Sequence, residues 1–333
     1  MNNTPLQLFL KCLRKSYHIL FGENNTLSSP NIEQDPDKAS DMIYQLLIKD
    51  EPCMIARFGS TELSCIVNYI GITAMHRSVI KYIRGQQPQW WWNKNIMLQM
   101  KNWSGFFPVT EEKLSQFCEM MLRDVSEVDL IGSWQKDEDY VLKKRGDIQK
   151  VKLLCLEPYW SKRPWSRVLE GKRILVVHPF AEDIISQYNN HRELLFEDKR
   201  VLPKFASLRV VKAVQSLGGV SNGFKDWFEA LEWMKKEMDK EPYDIALIGC
   251  GAYGFPLAAH AKRTGHKAVH LGGALQLLFG IKGKRWSNPE YARIWNMKPE
   301  SFYLDLYDRS VWVLPSSQYV PRNSVNVENG CYW

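Results

Sequence analysis

Residues 243–272 read YDIALIGCGAYGFPLAAHAKRTGHKAVHLG, and their pattern is the clearest structural signal in the chain. An apolar run, YDIALIG, leads through a glycine-rich turn into PLAAHAKRTG, and a second apolar run, HKAVHLG, follows. Apolar runs without polar alternation are typical of strands buried on both faces of a parallel sheet. The stretch therefore predicts a strand, a helix and a second strand.

The same alternation extends towards the N-terminus. Strands are predicted at 53–58, 128–133, 151–156, 172–180 and 207–214, with helices near 39–49, 61–70, 76–84, 93–102, 111–124, 181–196 and 224–240. Buried strands that alternate with amphipathic helices are typical of βαβ units. We expect an α/β fold, a doubly wound, mostly parallel Rossmann-like sheet with helical additions.

The composition predicts how this fold is divided. The chain has 333 residues, enough for two domains or one large one. Residues 1–40 are expected to form an amphipathic helix and a polar linker, 41–314 a single α/β domain with an internal boundary near 165–172, and 315–333 a C-terminal tail.

Charge and cysteine content narrow the functional classes. The formal net charge is +7, but basic residues alternate with acidic ones and no nucleic-acid-binding motif is present, so no nucleic-acid partner is expected. The seven cysteines have no paired spacing, which indicates reduced thiols. No signal peptide or membrane-spanning run is apparent, and we expect a cytoplasmic protein.

Residues 5–21 form the one segment with a membrane signature. In a helix, Lys11, Arg14 and Lys15 would share a basic face opposite an apolar one. Such a helix either packs on the body of the protein or rests on anionic lipid at the inner face of the membrane.

The turn after YDIALI contains Gly249, Gly251 and Gly254, which match G-x-G-x-x-G. Such a turn before a helix accepts phosphate, so a nicotinamide- or S-adenosylmethionine-dependent enzyme is one interpretation. The strand HKAVHLG ends without the acid that a dinucleotide ribose requires. Glycines that only allow close packing of strand and helix are the other interpretation.

Further candidates stand at the ends of the predicted strands, where ligands bind in such sheets. IARFGSTEL (55–63), residues 243–286 and the final GCYW (330–333) together resemble the bacterial GT-D fold glycosyltransferase-like proteins of surface-polysaccharide synthesis. In that family an Arg-x-Gly-Asp-x-Glu element follows the first strand and is implicated in binding a divalent metal and a nucleotide sugar.

The resemblance implies that Arg57, Gly59, Ser60 and Glu62 bind the nucleotide sugar, with Mn²⁺ or Mg²⁺ at Glu62. Ser60 stands where the family has aspartate. One hydroxyl and one carboxylate hold a hard cation less well than two carboxylates, so metal dependence stays open. Loss of that aspartate also fits a non-catalytic binding protein on the same fold.

Other residues complete the predicted site. Cationic side chains that could meet a diphosphate are Lys282, Lys284 and Arg285. His178 and Asp183 follow a strand and are candidates for the general base, with Glu62 as the group that orients the sugar. The expected function is transfer of a nucleotide-activated sugar to a glycan or lipid-linked glycan acceptor. This mechanism requires Arg57 and Gly251 at the same edge of the sheet.

Overall fold

A parallel sheet of seven strands forms the centre of the computed structural model, which describes residues 4–22, 32–142, 145–216, 223–320, 324 and 330–333. The strands are β1 (Met54–Ala56), β2 (Leu130–Ser133), β3 (Gln149–Lys152), β4 (Arg173–His178), β5 (Ser207–Lys212), β6 (Ile245–Ile248) and β7 (Lys267–His270). Their order is β3-β2-β1-β7-β6-β4-β5, and every neighbouring pair is parallel. The predicted α/β class is confirmed.

Helices cover both faces of the sheet. They are α1 (Pro5–Phe21), α2 (Pro36–Ile48), α3 (Ser60–Thr73), α4 (Val79–Ile83), α5 (Lys94–Asn102), α6 (Glu111–Asp124), α7 (Glu138–Leu142), α8 (Ala181–Leu195), α9 (Trp227–Met238), α10 (Gly254–Arg263), α11 (Leu275–Leu278), α12 (Pro289–Ile294) and α13 (Phe302–Tyr307). Alternate strand residues enter two separate apolar cores: Leu175 and Val177 lie in one, Ile174 and Val176 in the other. Because strand side chains alternate between faces, the two cores are the two sides of a doubly wound sheet.

The structure corrects one predicted strand. The run at 151–156 was expected to be a strand throughout, but β3 ends at Lys152 and Leu153–Leu156 form a 3₁₀ turn. The turn packs on β2: a Cβ on Gly132 would lie 2.4 Å from Leu156 Cδ1. Val151 is buried within β3, where it pairs with Gly132, whereas Leu154, Cys155 and Leu156 are buried in the turn.

The expected domain boundaries fall within packed structure. Helix α2 crosses the boundary at 40/41, and Glu33 forms a parallel bridge to Val151. The sheet continues through the 165–172 region, since β1 to β3 and β4 to β6 belong to the same sheet. In the expected tail, Tyr319 and Cys331 are buried. Residues 23–31, about half of the expected linker, lie outside the described residues.

Candidate active-site cleft at the carboxyl edge of the sheet

A cleft of about 390 Å³ lies where the central strands end. Its lining includes Arg57 after β1, His178 at the end of β4, Gly251 after β6, and His270 and Gly272 at the end of β7. Since parallel strands present their carboxyl ends at one edge, the topology brings these residues together although they are far apart in sequence. Arg57 and Gly251 share one cleft, as the predicted mechanism requires.

Arg57 brings a positive charge into this cleft. Its side chain lies against the ring of Trp134, with 5.4 Å between the guanidinium carbon and the ring centroid. Gly272 gives it room, because a Cβ there would lie 3.5 Å from Arg57 Cδ. Burial lowers the pKa of Arg57, while the carboxylate of Glu62 acts in the opposite direction. Within the described part of the chain, the guanidinium has no hydrogen bond and no ion pair within 4.0 Å.

Glu62 lies in the first turn of α3. Its side chain folds back over Gly59, since a Cβ on that glycine would lie 1.6 Å from Glu62 Oε2. The residue is 8% exposed, and its carboxylate accepts no hydrogen bond from any residue that the structure describes. Ser60 is exposed at the start of the same helix. The element therefore presents a carboxylate and a hydroxyl beside Arg57.

The donor set of this element fits a metal poorly. Glu62 is the only carboxylate among the described residues that line the cleft, and Arg57 and Arg285 stand near it. Hard divalent cations bind through several oxygen ligands, and two guanidinium groups repel them. No cluster of three or more His, Cys, Asp or Glu side chains suited to a metal occurs in the described ranges. The same arrangement suits an anion.

Arg285 supplies the second positive charge. Its guanidinium lies over the ring of Tyr332 at 4.8 Å, and its Nη2 donates to the Sγ of Cys331 over 3.2 Å. The backbone N–H of Arg285 also donates to the Cys331 carbonyl oxygen over 2.9 Å. Its charge is close enough to lower the pKa of Arg57. The GCYW segment thus positions one of the two cleft arginines.

The two neighbouring lysines lie outside the cleft lining. The Lys282 ammonium faces the ring of Tyr307 at 5.7 Å, and its backbone N–H donates to Val313. Lys284 is likewise absent from the cleft lining. Of the three basic residues predicted here, the structure brings only Arg285 to the site.

The glycine-rich turn is used mainly for packing. A Cβ on Gly249 would lie 2.6 Å from the Gly272 carbonyl oxygen, and one on Gly254 would lie 2.2 Å from His270 Cε1. Gly251 differs: its φ is +59° and nothing lies within 4 Å of its missing Cβ. Gly249 and Gly251 line the cleft, whereas Gly254 lies beneath His270.

His178 is buried and 3% exposed. Its Nδ1 accepts a hydrogen bond from the backbone N–H of Phe180 over 3.1 Å, and burial lowers the pKa of the imidazole to about 3. The neutral ring therefore carries its proton on Nε2. With Nδ1 accepting a hydrogen bond and Nε2 protonated, the ring has no free lone pair for the proton of an acceptor hydroxyl, which does not fit the predicted role of general base.

Asp183 also departs from its predicted role as general base. Its carboxylate accepts hydrogen bonds from the backbone N–H of Ser316, over 2.8 Å, and from the Ser316 hydroxyl. It is not part of the cleft lining. The side chain instead ties the start of α8 to the segment after α13.

His270 belongs to the cleft although sequence reasoning missed it. Its Nδ1 donates to the Ile248 carbonyl oxygen over 3.2 Å, which leaves Nε2 as an acceptor. Burial lowers its pKa to about 3, and the charge of Arg57 acts in the same direction. The sequence held a signal for this residue, since His270 lies at the carboxyl end of a predicted strand, where ligands bind in such sheets.

Aromatic walls are the second feature that sequence reasoning missed. They are formed by Trp134, Tyr291, Trp295, Tyr332 and Trp333. Trp134 donates from Nε1 to the Phe58 carbonyl oxygen over 3.1 Å, and its ring centroid is 5.8 Å from that of Trp295. Flat rings of this kind stack on nucleobases and on sugar faces. Trp134 directly follows a predicted strand, so its position was the available signal.

Trp134 is fixed by a buried carboxylate. Glu138 is 1% exposed, and its Oε1 accepts hydrogen bonds from the backbone N–H groups of Trp134 and Gln135 over 3.0 and 3.1 Å. The Ser133 hydroxyl donates to Oε2. Burial raises the pKa of Glu138, and these hydrogen bonds oppose that effect. The loop after β2 therefore presents the ring to Arg57 in a defined orientation.

Comparisons of the chain with protein-family models, curated proteins and solved structures gave no match. The resemblance to GT-D fold glycosyltransferase-like proteins therefore stays a prediction from the quoted motifs.

Proposed function

We propose that this protein is a cytoplasmic glycosyltransferase that binds a nucleotide sugar in the cleft and transfers the sugar to a glycan or lipid-linked glycan. The product would be part of a cell-surface polysaccharide or glycoconjugate. The observation that carries the proposal is the pair Arg57 and Arg285, which stand beside aromatic walls at the carboxyl edge of the sheet. The acceptor class and the cellular setting come from the resemblance.

Charge supports a diphosphate ligand. Arg285 repels the Arg57 guanidinium and Glu62 attracts it, but no counter-ion lies within 4.0 Å of Arg57 in the described residues. A diphosphate relieves this repulsion and accepts the bidentate hydrogen bonds that guanidinium groups donate best. The cleft volume of about 390 Å³ lies within the range of small-molecule sites.

The glycine turn gives less support to a dinucleotide. A pyrophosphate in that mode sits on the turn and the helix start, but Gly254 at the start of α10 is covered by His270. His270 and Leu271 stand where β7 ends, and neither supplies the carboxylate that binds a ribose. The nicotinamide or S-adenosylmethionine alternative therefore has only the motif in its favour.

In the proposed reaction an acceptor hydroxyl attacks the anomeric carbon, and the bond from that carbon to the diphosphate oxygen breaks. The leaving diphosphate takes up negative charge, which Arg57 and Arg285 stabilise without metal. Glu62 takes the proton of the acceptor hydroxyl, since it is the only carboxylic side chain among the described residues that line the cleft. In this reaction His178 donates a hydrogen bond from Nε2 to the bound nucleotide sugar.

The proposal is tested by binding and turnover in parallel. Purified protein is titrated with UDP-, GDP-, CMP- and dTDP-sugars, NAD, NADP and S-adenosylmethionine, with and without Mn²⁺, while thermal unfolding is followed. A ligand at about 100 times its dissociation constant adds ~2.7 kcal/mol of apparent stability. We expect a shift with one sugar nucleotide and release of its nucleoside phosphate when an acceptor is present.

Arg57→Gln and Lys282→Gln form the matched pair, because both remove one charge but only Arg57 lines the cleft. Loss of a charged hydrogen bond costs about 1.5–3 kcal/mol, so Arg57→Gln should weaken nucleotide-sugar binding tenfold or more while Lys282→Gln leaves it unchanged. A shift with a dinucleotide or the methyl donor, or equal losses in both variants, would refute the proposal. Binding without turnover would favour the non-catalytic alternative.

A further inference from the structure

Helix α1 packs on the protein with one narrow side. Leu10 is its only buried residue, and Arg14 lies over the ring of Tyr82 at 5.0 Å. One turn further on, His18 meets Gly85, where a Cβ would lie 3.1 Å from His18 Nε2. Residues spaced four apart lie on one side of a helix, so this side is fixed to the body next to α4.

The other side of α1 is apolar and exposed. Leu6, Phe9, Leu13 and Leu20 are 64%, 59%, 36% and 76% exposed, and at 3.6 residues per turn they lie within about 60° of one another. Leu8 and Ile19, at 52% and 73% exposed, extend this surface around the helix. We call these six residues the outer face of α1. Contiguous apolar surfaces of this kind mark interaction sites.

Positive charge borders the outer face. Lys11 and Lys15 lie next to Leu8 around the helix, and Arg14 follows them. Residues 5–21 contain no aspartate or glutamate. Beside the helix runs a groove of about 600 Å³, lined by Arg14, His18, Arg84 and Lys136 together with one acid, Asp137. An apolar face with a basic border is complementary to an anionic lipid surface.

A second copy of the chain fits this surface less well. A symmetric dimer through the outer face would place the lysines of one α1 near those of the other, because a two-fold interface pairs identical patches. Like charges at such a distance repel. An acidic phospholipid headgroup meets the same lysines with opposite charge, and its acyl chains meet the leucines.

We propose that α1 is a membrane-docking helix: its outer face enters the headgroup boundary of an anionic leaflet, and Lys11 and Lys15 contact the phosphates. The helix lies in the plane of the surface. No helix in the described residues is both long and apolar enough to cross a membrane, so docking is peripheral. The Lys136–Tyr140 segment that lines the groove follows Trp134 in sequence, which links the docked side to one wall of the cleft.

The test uses the full chain and sedimentation with vesicles of phosphatidylcholine alone or with about one third phosphatidylglycerol. We expect binding to the anionic vesicles and at least about tenfold weaker binding to the neutral ones. For a second readout, an environment-sensitive dye is attached to Cys12, which is the one exposed cysteine. Its emission should shift to the blue with anionic vesicles.

Two double variants separate the contributions. Phe9→Ser with Leu20→Ser removes exposed apolar surface, and Lys11→Gln with Lys15→Gln removes the basic border. Each should weaken vesicle binding about tenfold or more without lowering thermal stability, since these side chains lie on the surface. The matched controls are Met75→Ser with Leu314→Ser, also exposed apolar residues, and Lys49→Gln with Lys172→Gln. These controls should bind like the parent.

Three outcomes would overturn the proposal: no binding to anionic vesicles, equal losses in test and control variants, or a dimer that Phe9→Ser with Leu20→Ser dissociates while vesicle binding is absent. Nucleotide-sugar binding by these variants is measured alongside. Because vesicle binding requires no donor, failure of membrane docking and failure of the proposed transferase function give different results.

Discussion

The two sides of the cleft have similar sequence signals but different structures. The side after β6 and β7 carries the glycine-rich turn, and its glycines and histidines are packed against one another: Gly254 against His270, and Gly249 against Gly272. The side after β1 carries Arg57, Gly59, Ser60 and Glu62, whose charged side chains form no hydrogen bond and no ion pair within 4.0 Å in the described chain. We call them the packed side and the charged side. A glycine motif can therefore serve packing, and it does not by itself identify a binding surface.

The largest expected effect concerns pH and the packed side. The pKa values of His178 and His270 fall from 6.5 to about 3 on folding, so the unfolded chain takes up protons that the folded chain refuses. Stability from the two neutral histidines is complete above pH 6.5 and is lost as pH falls towards 3. Each histidine lowers the free energy of unfolding by about 1.4 kcal/mol for every pH unit below 6.5. Together the two lower it by ~4 kcal/mol at about pH 5.

Urea unfolding at about pH 7 and pH 5 measures this loss. His270→Asn should remove about half of the pH dependence that His178 and His270 contribute, because one of these two groups no longer titrates. His191→Asn is the control, since His191 lies outside the cleft on α8. A parent and a His270→Asn variant with the same pH dependence would mean that the packed side does not hold its histidines neutral.

The second effect tests the packing itself. Gly254→Ala places a Cβ 2.2 Å from the ring of buried His270, and such overpacking should lower the free energy of unfolding by about 1–3 kcal/mol. Gly265→Ala is the comparison, because its site is open and only its positive φ of +86° costs energy, about 1–2 kcal/mol. The two variants are compared by urea unfolding, and ligand binding is recorded for each.

A loss well below about 1 kcal/mol for Gly254→Ala would show that the turn tolerates a side chain at this position, and close packing on His270 would then not explain the glycine.

The third effect is smaller and concerns the charged side. Arg57→Gln removes a partly buried cation and its repulsion by Arg285, but it also removes the attraction to Glu62 and the contact with Trp134, so the stability of the ligand-free protein should change by less than about 1 kcal/mol. Arg263→Gln is the matched control, because Arg263 pairs with Asp124 at 2.7 Å and its loss should destabilise. Thermal unfolding without ligand measures both. If Arg57→Gln is the less stable of the two variants, the Arg57 guanidinium stabilises the ligand-free protein.

The smallest effect concerns an acidic pair like that of the GT-D fold proteins that the sequence resembles. Ser60→Asp adds a carboxylate in the first turn of α3, where the helix dipole should stabilise it by about 0.3–1 kcal/mol. Two carboxylates on one turn also hold a hard cation better than one. We expect Mn²⁺ to raise the unfolding temperature of this variant and not that of Ser60→Asn. An equal response of the two variants would show that charge at this position does not govern metal binding.

The sheet was largely predictable because buried parallel strands have a simple composition. The runs at 172–180 and 243–249 each hold four consecutive apolar residues, 174–177 and 245–248, and contain β4 and β6. The exception was the run at 151–156, where only the first two residues pair in β3 and the last four form a 3₁₀ turn packed on Gly132. Apolar composition reports burial, and it does not by itself distinguish the two ways of achieving it.

The candidate site was predictable only in part. Arg57, Glu62 and Gly251 were found because they end or follow strong strand signals. Residues that reach the cleft through long-range packing, such as Trp295, carry no local signal. His178 was placed correctly, but the hydrogen bond to its Nδ1 from Phe180 decides which proton it holds, and sequence does not show tautomers. The positions of these residues followed from the order of the strands. Their hydrogen bonds and protons depended on contacts that the sequence does not show.

The place of β7 has a consequence for biosynthesis. This strand is the last of the seven described strands to leave the ribosome, yet it lies between β1 and β6 at the centre of the sheet. About 200 residues separate Ile55 from its partner Val269, so at roughly 5–20 residues per second β1 emerges about 10–40 seconds before β7. During that interval one apolar edge of β1 is open to other nascent chains. The yield of folded protein should therefore depend on how well a chaperone shields that edge until translation passes β7.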